Sequence, residues 1–230
     1  MTPGELRSGR DPKMEHLLHH HAPENGPPII HVAFASKQTI FLEGDHFGTV
    51  EILSQGFARL YKVSICGRRQ IIGFALPGDI LEMPFSARHT LSADAIGSVS
   101  AYRFLKHRFV RNLQCSPDLL FGMLEFATLE LSAARSQIVL LGSLSAEEKL
   151  IEFLIDWRNR LARVSPLSNI LPLPMNRSDI AECIGVRLET VCRALAKLER
   201  ENVLRVVPKG LQLLGARQLP LLLQRRYKRD

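Results

Sequence analysis

The stretch that most constrains this chain lies between Met175 and Leu214, where two helical repeats meet at a glycine. Ile180, Ala181 and Ile184 recur at helical spacing, and Gly185 follows as a residue able to stop a helix in the left-handed region. A second repeat begins almost at once, with Val191, Leu195 and Leu198 on one face and Glu189, Arg193 and Lys197 on another. Two short helices joined by a tight glycine turn describe a helix-turn-helix. LRVVPKGLQLL then reads as two strands turning at Pro208-Lys209-Gly210, a wing with a lysine at its tip.

Such a unit fits double-stranded DNA, because the major groove admits one α-helix whose first turns face the base edges. Arg193 can donate bidentate to guanine O6 and N7, and Glu189 can accept from cytosine N4. The two project from one helix face, a spacing that equally permits a surface ion pair worth a few tenths of a kcal/mol. The reading helix is expected at about residues 188–201. Arg177, Ser178, Arg187, Thr190, Lys197 and the wing-tip Lys209 are candidates for contacts to the phosphate backbone. The charge agrees: the net charge is +7, and residues 175–230 hold twelve Arg or Lys against six Asp or Glu. Excess cationic charge there favours a polyanion.

Upstream, residues 31–104 break into short β-prone runs: QTIFLEGD, VEILSQG, FARLYKVSICG, RQIIGFALPGD and SVSAYRFL. Gly44-Asp45, Gly56, Gly67 and Gly78-Asp79 are the expected turn points, which suggests an antiparallel roll. After Pro117-Asp118 the period changes. Leu120, Leu124, Ala127, Leu131, Ala134, Ile138 and Leu141 alternate steps of four and three, the pattern of a coiled-coil seam. That helix either packs on its twin in a homodimer or lies on its own roll. Ser145 and Glu148 then form a capping-box pattern opening a helix to about Arg163, with Leu150, Phe153, Leu154, Trp157 and Leu161 on one face. The prolines of VSPLSNILPLP cannot extend it, so a new sub-domain is expected near Leu171.

Composition narrows the class. No apolar run approaches the roughly 20 residues of a membrane span, and the start carries no apolar signal core, which suggests a cytoplasmic protein. The four cysteines, Cys66, Cys115, Cys183 and Cys192, form no CxxC pair, against a disulfide scaffold or zinc finger. No nucleophile–base pair or phosphate loop suggests an enzyme. A metal-dependent enzyme on the roll would need clustered histidines, whereas His31, His46 and His89 are scattered. His16, His19, His20 and His21 lie in a polar N-terminal segment and leave metal or haem binding open.

The segment RSDIAECIGVRLETVCRALAKLERENVL resembles the helix-turn-helix of the CRP/FNR superfamily, in particular its FNR and FixK branches. LSAEEKLIEFLIDW resembles the helix that precedes it, and the glycine-punctuated strands resemble the family's β-roll. The resemblance spans about residues 33–214 and implies an α+β fold: an N-terminal antiparallel β-roll, a long dimerisation helix and a C-terminal winged helix-turn-helix. The implied boundaries are a tail at 1–30, a roll at 31–116, a dimer helix at 117–142, a DNA-binding unit at 143–216 and a basic tail at 217–230.

It implies a transcription regulator, an activator that works with RNA polymerase, with base contacts from Leu188, Glu189, Cys192 and Arg193. Leu188 stands where CRP-type proteins carry Arg and FixK-type proteins carry Leu, which points to TTGA facing TCAA. Cys192 stands where FNR-type proteins carry Ser. A thiol is the weaker donor and can touch a thymine methyl instead.

The family's known sensors match less well. FNR proteins hold an iron–sulfur cluster through N-terminal cysteines, and none precedes Cys66 here. Cyclic AMP needs an Arg for its phosphate, and Leu91 lies near that position, with Arg88 close enough for some other anion. No cofactor is therefore expected. The alternative is an effector-gated regulator, answering to a small ligand, haem or thiol redox; the thiols concerned are Cys192 on the reading helix and Cys183 before it, the latter reading first as a small buried apolar residue.

Overall fold

The computed structural model describes residues 30–166, 168–208 and 210–214. The N-terminal histidines, the wing-tip Lys209 and the basic C-terminal tail lie outside the described residues. The chain divides into two compact units, one ending at Ala134 and the other beginning at Arg135.

The first unit is an antiparallel roll of β1 (Ile30–Phe34), β2 (Thr39–Phe41), β3 (Thr49–Val63), β4 (Arg69–Ala75) and β5 (Ser92–Leu105), in the order β1-β5-β3-β4 with β2 also on β5. Phe34, Phe41, Leu53, Ala58, Leu81, Val99 and Ala101 form its core, small residues alternating with large so that the layers close. Gly44, Gly67 and Gly78 sit at turns with positive φ, as expected.

Gly56 does not turn the chain. VEILSQG and FARLYKVSICG are one continuous strand, and Gly56 sits inside it at φ 82°. A Cβ there would stand 2.5 Å from the Ser98 carbonyl oxygen, and the β3–β5 register shifts between Leu53 and Gln55 and again between Gln55 and Phe57, across the glycine. The glycine therefore makes a bulge that lets two strands approach, rather than an end.

A short helix that the sequence reading omits, α1 (Lys106–Cys115), follows β5 directly. Its only buried residues are Phe109 and Leu113. They pack with Phe47, Val50, Ile52, Ile80 and Phe104, and with Leu119 and Met123 of the next helix. That helix, α2 (Pro117–Ser143), is the long one expected and runs across the divide between units. Its roll-facing residues are Leu119, Met123 and the half-buried Phe126. The seam residues are turned elsewhere: Leu124 is 55% exposed, Leu131 52% and Ile138 70%. Leu120, Ala134 and Leu141 are exposed as well, and Ala127 is half-buried.

The second unit holds α3 (Ala146–Val164), α4 (Arg177–Ile184), α5 (Leu188–Arg200) and a sheet of β6 (Ile170–Pro172), β8 (Gly210–Leu213) and β7 (Leu204–Val207) in that order. Ser145 and Glu148 cap α3 reciprocally, and Leu150, Phe153, Leu154, Trp157 and Leu161 are buried, as expected. The Trp157 indole N–H donates to the Pro172 carbonyl at 2.8 Å, which anchors β6 and seats the wing sheet beside α3.

Candidate nucleic-acid interface

Local chemistry sets where α4 begins and where it must stop. Asp179 N–H donates to Asn176 Oδ1 at 2.8 Å and Asn176 N–H donates to Asp179 Oδ2 at 3.4 Å, a reciprocal cap that satisfies two open amides. At the other end Gly185 takes φ 66°, and Val186 N–H returns to the Ala181 carbonyl at 3.0 Å. A side chain at Gly185 would meet Leu141 Cδ2 at 2.8 Å and would sit in a backbone region that L-residues avoid. The turn therefore releases α5 at Leu188, as the spacing predicts. Val191, Ala194, Leu195 and Leu198 of α5 are buried, with Ile180, Ala181 and Ile184 of α4 buried beside them.

The outward side of α5 carries the expected reading residues. Leu188, Glu189 and Arg193 are exposed and Cys192 is half-buried, all on the first two turns. Among the described residues no ion pair joins Glu189 to Arg193, so neither head group is held by the other. Arg187 precedes the helix without a side-chain cap hydrogen bond. Thr190 N–H donates to the Arg187 carbonyl at 2.9 Å, and with no side-chain cap on Leu188 or Glu189 their amides are the ones that suit phosphate. Arg177, Ser178 and Arg187 are exposed around this strip, and Thr190 is half-buried.

Lys197 is engaged differently. Its Nζ donates to Glu147 Oε2 at 2.8 Å, so its charge bridges α5 to α3. Two links escaped the sequence reading, because helix crossing alone creates them. Arg177 Nη1 donates to Cys192 Sγ at 3.6 Å, joining the start of α4 to the reading helix. Glu199 Oε1 accepts from Val206 N–H at 3.0 Å, tying α5 to the first wing strand.

Cys183 lies in the interior. It is buried, and that burial, with the Asp156 charge added and Arg160 only partly opposing, pushes its thiol up to about 12. The thiolate is the reactive form, and Cys183 packs here as a small apolar core residue. Cys66 is the opposite case. It is exposed at the β3–β4 turn, and hydrogen bonds with Ser64 and Arg68 hold its thiol below the usual range.

In the roll, Leu91 packs on the core, and Arg88 Nη1 donates to the Gly44 carbonyl at 2.7 Å. His31 packs edge-on to Tyr102, while His89 lies in the interior. Among the described residues no group of three or more His, Cys, Asp or Glu is placed to hold a metal ion. Nor is any described helix long and apolar enough to cross a membrane.

Residues 148–220 match the family of Crp-like helix-turn-helix domains, and residues 31–114 match the cyclic nucleotide-binding domain family. The chain is 45% identical over 192 residues to the transcriptional activatory protein AadR of Rhodopseudomonas palustris, covering 84% of this chain and 80% of that protein. It is 46% identical over 183 residues to the nitrogen fixation regulation protein FixK of Bradyrhizobium diazoefficiens, covering 80% and 77% respectively. Among solved structures, FixK2 from Bradyrhizobium japonicum superposes with a TM-score of 0.79 at 28% identity, covering 85% of this chain and 97% of that one.

Proposed function

The chain belongs to the CRP/FNR family of DNA-binding transcription regulators, in its FixK-like branch, and from that premise we propose a homodimeric activator that reads TTGA…TCAA palindromes. The observation that carries the reading is the outward strip on α5. Glu189 and Arg193 stand exposed and unpaired with each other on the turns that enter a major groove. Leu188 beside them is apolar and exposed, so it favours a thymine methyl over a guanine acceptor. Arg177, Ser178, Arg187 and Thr190 frame the strip and serve the phosphates, and the sequence adds Lys209, outside the described residues, to the same role.

Two copies are required because one reading helix covers only a half-site. The open seam of α2 supplies the apolar surface for pairing, through Leu120, Leu124, Ala127, Leu131, Ala134, Ile138 and Leu141. Activation implies contact with RNA polymerase, an assignment that follows the named activators among the relatives. A regulator that acts on chromosomal DNA works in the cytoplasm. We assign it no reaction, and neither an iron–sulfur cluster nor cyclic AMP is needed for binding.

A second reading rests on Cys192. Its sulfur lies in the strip and takes a hydrogen bond from Arg177. Oxidation by peroxide would place a bulkier or charged group against DNA and weaken binding.

The deciding experiment is binding to a duplex carrying TTGA and TCAA half-sites against a scrambled duplex, with and without reductant and across salt. Tight, selective, salt-sensitive binding without added ligand is expected. Equal weak binding to both duplexes would sink the half-site assignment.

A further inference from the structure

The roll's interior contains a histidine held as a bound ligand is held. The His89 ring lies between two phenyl rings, 3.9 Å from Phe41 at an interplanar angle of 9° and 4.2 Å from Phe47 at 24°. Its Nδ1 meets Glu82 Oε2 at 2.7 Å, and the two side chains are only 5% and 6% exposed. The other carboxylate oxygen of Glu82 accepts from Thr90 N–H at 2.7 Å and from the Thr90 hydroxyl at 2.6 Å. Both oxygens of Glu82 are therefore engaged by the far end of its own loop.

That loop, residues 82–90, is sewn along its length to residues 44–47. Gly44 N–H donates to the His89 carbonyl at 2.8 Å, His89 N–H to the Asp45 carbonyl at 2.9 Å, and Phe47 N–H to the Ala87 carbonyl at 3.1 Å. Arg88 adds its bond to Gly44, and the Lys106 ammonium, which also lies 4.8 Å from the Phe47 ring centroid, donates to the Ser86 carbonyl. The imidazole is the one element of this strap that enters the interior between two rings and meets a buried carboxylate there.

We propose that His89 is a tethered ligand: the roll contains an aromatic slot of imidazole size, walled by Phe41 and Phe47 and floored by Glu82, which the chain fills with its own side chain to lock the 82–90 strap. A diffusible effector at this place would have to expel a stacked, hydrogen-bonded ring. The lock thus leaves the roll ordered without a small molecule, which bears on the choice between constitutive and effector-gated DNA binding. It does not rest on the DNA reading, because its test never involves DNA.

The test is rescue by the missing ring. His89→Ala should empty the slot while leaving both phenyl walls and Glu82. Its melting temperature is expected to fall by roughly 5–10 °C, the range for losing a packed, hydrogen-bonded side chain in a chain of this size. Free imidazole at tens of millimolar should then raise it again by roughly 3–5 °C, the mass-action gain for a millimolar-range site. Wild type should not respond, nor should Leu53→Ala, a cavity elsewhere in the same core.

Equal imidazole effects in His89→Ala and Leu53→Ala would overturn the proposal. Should His89→Ala not fold, nitrogen-15 spectra of the wild-type ring decide instead. A single, slowly exchanging Nδ1–H supports the tethered ligand, and a ring proton in free exchange with water overturns it.

Discussion

Ile138→Ala separates pairing from folding, because Ile138 is 70% exposed on the isolated chain and contributes little to the core of its own unit. Burying a full isoleucine side chain is worth about 1.5–3 kcal/mol, so covering the open fraction in a two-fold seam yields about 1–2 kcal/mol per chain. Symmetry counts each seam residue twice, giving about 2–4 kcal/mol per dimer, or a dissociation constant raised roughly 30- to 700-fold. Sedimentation across protein concentration reads that change directly. Duplex binding at a fixed low concentration should weaken in step, since half-occupied sites lose the second reading helix. The dilute monomer should melt as the wild-type monomer does. An unchanged dissociation constant would refute the seam, and a lower monomer melting temperature would show that Ile138 is packed within its own chain.

Three further outcomes follow from single residues. Gly185→Ala forces a β-carbon into the left-handed region at φ 66°. This should cost about 1–2 kcal/mol, a fall of roughly 2–8 °C by calorimetry; an unchanged melt would mean the turn relaxes freely. Arg193→Ala should leave melting unchanged but lose about 1–3 kcal/mol of discrimination at one guanine in a binding titration against base-substituted duplexes, and a uniform loss across sequences would reassign Arg193 to phosphate. Alkylation mapped by mass spectrometry should label Cys66 well before Cys183. Because burial raises the Cys183 thiol from 9.0 to about 12, its contribution to stability holds below pH 9 and is lost as pH climbs towards 12. Cys183→Ala should remove that alkaline limb, and rapid labelling of native Cys183 at neutral pH would contradict its burial.

What could be read from the sequence was local, and what could not was made by distant segments meeting. Gly185, the apolar trio Val191, Leu195 and Leu198, and the Ser145–Glu148 box each act within a turn or two, and the helices they delimit lie where expected. Gly56 shows the opposite case. By itself it signals a turn, but β5 runs alongside and its ladder carries β3 straight through the bulge. The helix α1 offers only two buried residues in a polar run, too weak a period to stand out before the roll supplies its partner. His89 reads as one scattered histidine until the 82–90 loop brings it between Phe41 and Phe47.

The long helix joins both cases. Leu119, Met123 and Phe126 form one stripe, and Leu120, Leu124 and Ala127 form a second beside it, shifted by a residue. Adjacent stripes make an apolar face too wide for one partner, whereas the seam spacing alone offers the twin or the roll as alternatives. The roll takes the first stripe, because α1 delivers Phe109 and Leu113 to the same side and closes a common core with Leu119 and Met123. The second stripe runs on through Leu131, Ala134 and Ile138, which are exposed and take no part in that core. An apolar surface of that length is costly to leave wet, and the proposed dimer would cover it, since a second copy offers a matching surface by symmetry.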